Sequence, residues 1–265
     1  MVKSYKALPK ISIITPTLNQ AKFIERTILS VLNQGYPDLE YLVFDGGSTD
    51  GTQEILQRYS AKIKWWSEPD RGQSHALNKG LQICTGEIIG FINSDDEYEP
   101  GALLKVGQFF SSHPEAMWIT GKCRLIDEDD KEVFSFISIY KHTLLRLHHP
   151  ALLAIVDYIP QPSTFWRRVI VEEIGLFDES LRYVMDYDYW LRISKRYRLY
   201  YINEYLARFR IYPSSKTWQS AVSQDKEEEK MVQRYVKSKF LLFMHRSHRF
   251  MNKIGYSLLE KFVQS

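Results

Sequence analysis

Strand-like and helix-like segments alternate through the first hundred residues, and this alternation constrains the fold more than any other feature of the chain. Short apolar, β-branched or aromatic runs at 11–14, 41–44, 63–66 and 87–92 are separated by helix-periodic segments at 23–32, 52–59 and 74–83. Strands linked by crossover helices at this spacing predict a parallel, doubly wound α/β sheet. Right-handed crossovers put the C-terminal ends of such strands along one edge, where open α/β sheets bind ligands. The loops that begin at Thr15, Asp45, Glu68 and Asn93 are therefore expected to converge. A further helix is expected from Pro100, because a first helical turn needs no N–H there.

Beyond Met117 the pattern loosens. Strands are expected at 117–126 and 133–139, a helix or loop at 140–154, a helix at 186–198 and a return strand or strand pair at 199–209. No repeat or Gly/Pro/Ser-rich linker interrupts the chain, so the expected division is one domain over 1–219 with a helical appendage over 220–265.

Composition narrows the function classes. With 44% hydrophobic and 14% aromatic residues the chain cannot be a disordered one. Thirty-five Lys and Arg against 32 Asp and Glu lack the basic excess of a nucleic-acid binder. Cys84 and Cys123 are the only cysteines, which excludes a disulfide framework and favours a reducing compartment. The three lysines of residues 1–10 precede no signal-like apolar core, and no run approaches the ~18 apolar residues that span a bilayer. A soluble, cytoplasmic protein is expected.

Three acidic clusters bear on chemistry. Gly46 to Thr52 has the glycine spacing of a phosphate loop, but Thr52 stands where its lysine must be, and no G-x-G-x-x-G occurs there. Ser48, Thr49 and Asp50 suit helix capping, while Asp45 suits a turn or a ligand contact equally well. Asn93-Ser94-Asp95-Asp96 follows an apolar strand. Its carboxylates could shape a turn, or hold Mg²⁺ or Mn²⁺ together with substrate phosphates. Asp186 and Asp188 are two apart, so on a helix only one can face a site, the other facing solvent or capping the helix. Asp186 suits either capping or a general base. His148-His149 and His245-x-x-His248 lack zinc-site spacing, and neither H-E-x-x-H nor G-x-S-x-G is present.

Six blocks together resemble the family 2 glycosyltransferases of the GT-A fold: Ile11 to Asn19, Phe44 to Thr52, Glu68 to Gly80, Asn93 to Asp96, Pro162 to Arg167 and Asp186 to Arg192. They run in order, with family spacing, within residues 10–217. The resemblance implies a Rossmann-like, mostly parallel central sheet flanked by helices, and inverting transfer from a nucleotide-sugar donor with Mn²⁺ or Mg²⁺. UDP is the default nucleotide. It implies that Thr15, Pro16, Thr17 and Asn19 line the nucleoside pocket, that Asp45 takes the base's ring N–H, and that Asp70 and Arg71 contact base or phosphates. Asn93, Ser94 and Asp95 occupy the D-x-D metal motif, with Asp95 as metal ligand, and Asp186 is the general base.

The chain departs from that pattern at Asn93, which leaves one motif carboxylate to meet the metal. Met185 stands where many relatives have Glu, and Tyr212 where many have a His that serves metal or diphosphate. A neutral phenol is a poor metal ligand, so Tyr212 is assigned to the diphosphate.

The expected acceptor is a glycan, lipid-linked or protein-linked, in surface-polysaccharide synthesis, with no nucleic-acid partner. Met185 and Tyr212 leave open a non-catalytic sugar-nucleotide binder. A sugar nucleotidyltransferase fits less well, because Thr15 to Gln20 has neither glycine nor a basic residue. From Lys237 onward six Lys/Arg stand against Glu260 amid apolar residues. Such a helix can lie on the inner face of a membrane or pack against the domain or a second copy as a homo-oligomer.

Overall fold

The computed structural model describes residues 7–147, 149–219 and 221–263. The first strands alternate faces as buried parallel strands must. In β1 (Ile11–Thr17), Ile11 and Ile13 enter one apolar cluster and Ile14 the other. Helices α1 (Ile24–Leu32), α2 (Thr52–Arg58) and α3 (Gln73–Ile83) connect β1 to β2 (Leu39–Asp45), β3 (Lys64–Ser67) and β4 (Ile88–Phe91). Strand pairs β1–β2, β2–β3 and β1–β4 are parallel, as expected.

The rest of the chain consists of β5 (Glu97–Tyr98), α4 (Ala102–Ser112), β6 (Trp118–Ile126), α5 (Ser135–Leu147), α6 (Pro150–Leu153), β7 (Thr164–Arg167), α7 (Val169–Ile174), α8 (Met185–Ser194), β8 (Leu199–Arg210), α9 (Lys216–Gln219), α10 (Ala221–Tyr235) and α11 (Lys239–Val263). The eight-stranded sheet has the order β3-β2-β1-β4-β7-β6-β8-β5. It is mixed: β7 is antiparallel to both β4 and β6, and β5 to β8, while β6–β8 is parallel. The expected mostly parallel sheet is therefore mixed, with its parallel run in β3-β2-β1-β4.

Residues 199–210 form one long strand, the first of the two alternatives expected there. One element differs from expectation. Residues 135–147 form a helix, although a strand was expected at 133–139. The apolar run there misleads because α5 buries Ser138, His142 and Leu145 at helical spacing and leaves Phe136 and Ile139 exposed. Among α10 residues, Met231 and Val232 are fully buried in the cluster that contains Trp166, Trp190 and Tyr187. No helix among the described residues is long and apolar enough to cross a membrane.

Candidate active site

The four loops after β1 to β4 do converge, and hydrogen bonds tie each to the next. Asn19, at φ 51°, donates its N–H to Ser48 Oγ (2.7 Å) and accepts from the Thr49 N–H (2.9 Å). Asp45 is buried and accepts from the N–H groups of Gly47 and Ser48, from Ser48 Oγ, and from Ser67 Oγ at 2.6 Å. Its carboxylate thus joins the β2 loop to the end of β3. Asp70 lies against Gly46, where an added Cβ would meet Oδ2 at 2.9 Å, so only glycine admits this approach. Asp50, next to the Gly51 N-cap, holds the first turn of α2 through the Thr52 N–H (3.1 Å) and hydroxyl (2.6 Å).

The nucleoside-side residues are placed as follows. Thr15 Oγ1 pairs with the Tyr41 hydroxyl at 3.1 Å inside the sheet, Pro16 lies beside Phe44, and Thr17 Oγ1 is buried with no hydrogen-bond partner. Arg71 forms an exposed ion pair with Glu179 (2.6 Å).

The loop after β4 separates its four residues by role. Asn93 accepts from Gln73 Nε2 (2.6 Å), while its amide donates to Asp96 Oδ2 (3.2 Å) and Gln161 Oε1 (3.1 Å). Asp96 is fully buried and accepts the Arg210 N–H at 2.8 Å; burial and the neighbouring Asp95 push its pKa well up. Arg210, also buried, spans the floor: its guanidinium donates to the carbonyl oxygens of Asp95 (2.9 Å) and Asp127 (2.6 Å) and to Glu97 (2.5 Å). Ser94 is buried.

Asp95 is the half-buried carboxylate left facing the cleft, and Tyr212 donates to its Oδ2 at 2.9 Å. Burial raises the Asp95 pKa against the opposing effects of Tyr212, Arg210 and Lys216. No group of three or more His, Cys, Asp or Glu that could hold a metal exists among the described residues. One or two carboxylates plus substrate phosphates commonly hold Mg²⁺, so Asp95 fits a cation that arrives with a diphosphate.

Asp186 lies in the first turn of α8, inside the Val184 N-cap, and accepts the Tyr187 N–H at 2.9 Å. It does not cap the helix. Burial raises its pKa. Asp188, expected at solvent or capping, is instead buried, accepting from Tyr235 OH (2.5 Å) and Arg192 Nε (2.9 Å). Met185 is buried, with the Ser74 hydroxyl 2.8 Å from its sulfur, which joins the start of α8 to α3.

Two residues central to this geometry have no signal in a local motif. Lys216 Nζ donates to Gln73 Oε1 at 2.7 Å, and the charges of both Asp186 and Asp95 act on it. Asp157 stands beside Asp186, with Oδ1 buried and unpartnered; burial and the charges of Asp186 and Glu228 push its pKa up to about 8. Of the two, Lys216 alone could have been suggested by sequence, since it lies in the Arg210 to Thr217 stretch that contains Tyr212.

Comparisons with known proteins give the family and the fold. Residues 12–174 match the profile described as glycosyl transferase family 2. A Bacillus subtilis (strain 168) protein named as a teichuronic acid biosynthesis glycosyltransferase, TuaG, is 31% identical over 225 residues, covering 80% of this chain and 84% of its own. The structure of S. aureus TarS 1-349 in complex with UDP-GlcNAc superposes with TM-score 0.66 at 18% identity, over 85% of this chain and 66% of that one. The Pyrobaculum calidifontis mannosyltransferase PcManGT, with GDP-Man and Mn²⁺, gives TM-score 0.69 at 19% identity, over 90% and 69%. These two structures share the fold.

Proposed function

The chain belongs to glycosyl transferase family 2 and is a glycosyltransferase, and we propose that it transfers a sugar with inversion from a UDP-sugar to a hydroxyl of a growing surface glycan. The observation that supports this reading is that Lys216, tied through Gln73 to the Asn93 loop, is within electrostatic reach of both Asp95 and Asp186. A cleft with a phosphate-side carboxylate and cation on one flank and a raised-pKa carboxylate on the other suits direct displacement. The TuaG name and the UDP-GlcNAc complex of TarS support a polymer acceptor and a uridine nucleotide.

In this mechanism the acceptor oxygen attacks the anomeric carbon as the bond from that carbon to the diphosphate oxygen breaks. Asp186 receives the hydroxyl proton, and the bonding electrons leave with the nucleoside diphosphate. Asp95, together with the donor's own phosphates, would hold a divalent cation, Mn²⁺ or Mg²⁺, which would supply positive charge against the departing diphosphate. Lys216 adds a second positive charge there, and Tyr212 has a hydroxyl to offer a phosphate oxygen. The 15–17 strand end, Asn19 and Asp45 frame the nucleoside pocket, with Asp70 closing it over Gly46. Arg71 exchanges Glu179 for a phosphate or the base.

Tyr212 on Asp95 favours one other reading, a sugar-nucleotide binder without turnover. Calorimetric titration of UDP with Mn²⁺ and then with EDTA, followed by a UDP-sugar hydrolysis screen, separates the two. Mn²⁺-dependent binding with turnover that Asp186→Asn abolishes is expected. Binding without any turnover would select the binder, and no binding of UDP would remove the uridine assignment.

A further inference from the structure

The net charge of +3 conceals an uneven distribution. Helices α5 and α11 together carry seven Lys and Arg against one acid, so the remainder of the chain is net −3. Each helix packs some apolar side chains inward, Leu145 of α5 and Leu241 and Leu242 of α11, yet keeps a second apolar stripe outward, unlike an ordinary surface helix. The inner side of α5 carries Ser138 and His142, and α11 buries His245, whose Nδ1 donates to the Ile155 carbonyl oxygen at 2.9 Å. Arg246 and Arg249 of α11 pair with Glu229 and Asp225 of α10.

The outward faces are apolar. On α5, Phe136, Ile139 and Leu147 are 56%, 63% and 66% exposed; on α11, Phe240, Phe243 and Phe250 are 68%, 64% and 65% exposed. These positions recur at helical spacing and form one stripe on each helix. The stripes adjoin where the Tyr140 hydroxyl meets His248 Nε2 at 3.1 Å. A contiguous exposed apolar patch of this kind marks an interaction surface.

We infer that the α5–α11 face docks on an anionic lipid bilayer, inserting its phenylalanines while its lysines and arginines lie at the headgroups. Its charge selects this occupant: exposed Arg146 and Lys239 flank the two apolar stripes, an anionic surface is complementary to them, and a second copy would set like charges against each other. Lys141 of α5 acts electrostatically on Asp186, which puts α5 within charge range of the proposed base. Given the proposed transferase activity, on which this step rests, the acceptor hydroxyl reaches Asp186 from a lipid-linked glycan held in that bilayer.

The test is co-sedimentation of the full chain with vesicles of phosphatidylglycerol mixed with phosphatidylcholine, compared with phosphatidylcholine alone. Binding to the anionic vesicles, weakened by salt, is expected. The double variants Phe240→Ser/Phe243→Ser and Phe136→Ser/Ile139→Ser should each bind about tenfold or more weakly, with unchanged thermal unfolding because these side chains are exposed. The inference is overturned by any of three results: no binding to anionic vesicles, equal binding to both compositions, or variants that bind like the parent. It is also overturned if light scattering finds a dimer that the same variants dissociate. UDP calorimetry on these proteins separates the two readings: vesicle binding without UDP binding removes the uridine-donor assignment alone, and UDP binding without vesicle binding removes the docking face alone.

Discussion

The side-chain amide of Asn93 donates to the buried carboxylate of Asp96 at 3.2 Å, so the residue at the first metal-motif position serves the fold through its NH₂ group. The same amide donates to Gln161, which in turn reaches the Phe91 carbonyl oxygen at 2.7 Å. Restoring a second motif carboxylate with Asn93→Asp would remove both donations and set a new anion against Asp96, whose pKa burial already raises. Leaving buried acceptors unpaired costs about 1–3 kcal/mol each. Urea unfolding should show a lower midpoint, and calorimetry no gain in Mn²⁺ affinity; a variant of parental stability that binds Mn²⁺ more tightly would contradict this account.

Tyr212 presents a hydroxyl, not a metal ligand. Burial and the charge of Asp95 raise its pKa, so the phenol stays protonated and donates to Asp95 Oδ2. Tyr212→His would place a neutral imidazole, a good ligand for divalent transition metals, beside the same carboxylate. The Mn²⁺ concentration for half-maximal transfer should fall severalfold, while activity with Mg²⁺, which prefers oxygen ligands, should change little. An unchanged Mn²⁺ requirement would show that position 212 lies outside the metal's reach.

Legibility in the sequence followed the distance over which each feature is encoded. Strands β1 to β4 and their loops carry their own signals, because buried parallel strands are dense in Ile, Val and Phe and their acidic turns follow directly. The antiparallel insertion was not legible: β7 is four residues long and reaches β4 only across the 72 residues between Phe91 and Thr164. Helix α5 misled because it exposes Phe136 and Ile139 and buries Ser138. In the site, Asp95 and Asp186 stand in recognisable blocks. Lys216 and Asp157 acquire their meaning from neighbours more than a hundred and almost thirty residues away, respectively.

Asp157 makes stability fall with pH. Its pKa is pushed up to about 8, so between the ordinary Asp value of about 4 and about 8 the folded chain binds more protons than the unfolded chain. Stability therefore declines as pH rises through that window. Asp157→Asn never ionises and should raise Tm relative to the parent more on the alkaline side of the window than on the acid side. A uniform change in Tm at all pH values would remove Asp157 as the source. Asp186 sets a separate expectation for catalysis. Its raised pKa places the acid limb of kcat/KM above the ordinary Asp range, with transfer lost as pH falls. Asp186→Asn should lower kcat about 10²–10⁴-fold while leaving UDP affinity intact.

Lys216 provides the sharpest division between positioning and chemistry. Its ammonium donates to Gln73 Oε1 at 2.7 Å, and Gln73 Nε2 donates onward to Asn93, so a truncation could act by loosening this chain or by removing a charge from the cleft. Lys216→Met keeps the aliphatic stem and removes the charge. A charge-assisted hydrogen bond to phosphate contributes about 1.5–3 kcal/mol, which sets the expected loss of UDP affinity at about tenfold or more. If the ammonium also meets charge that builds on the leaving diphosphate, kcat/KM should fall further than UDP affinity does. Lys216→Arg restores the charge with different hydrogen-bond geometry and should recover much of kcat/KM. Gln73→Met keeps Lys216 charged while breaking the chain to Asn93, and should cost far less activity than Lys216→Met. Equal losses in the two variants, without rescue by arginine, would reduce Lys216 to a structural contact.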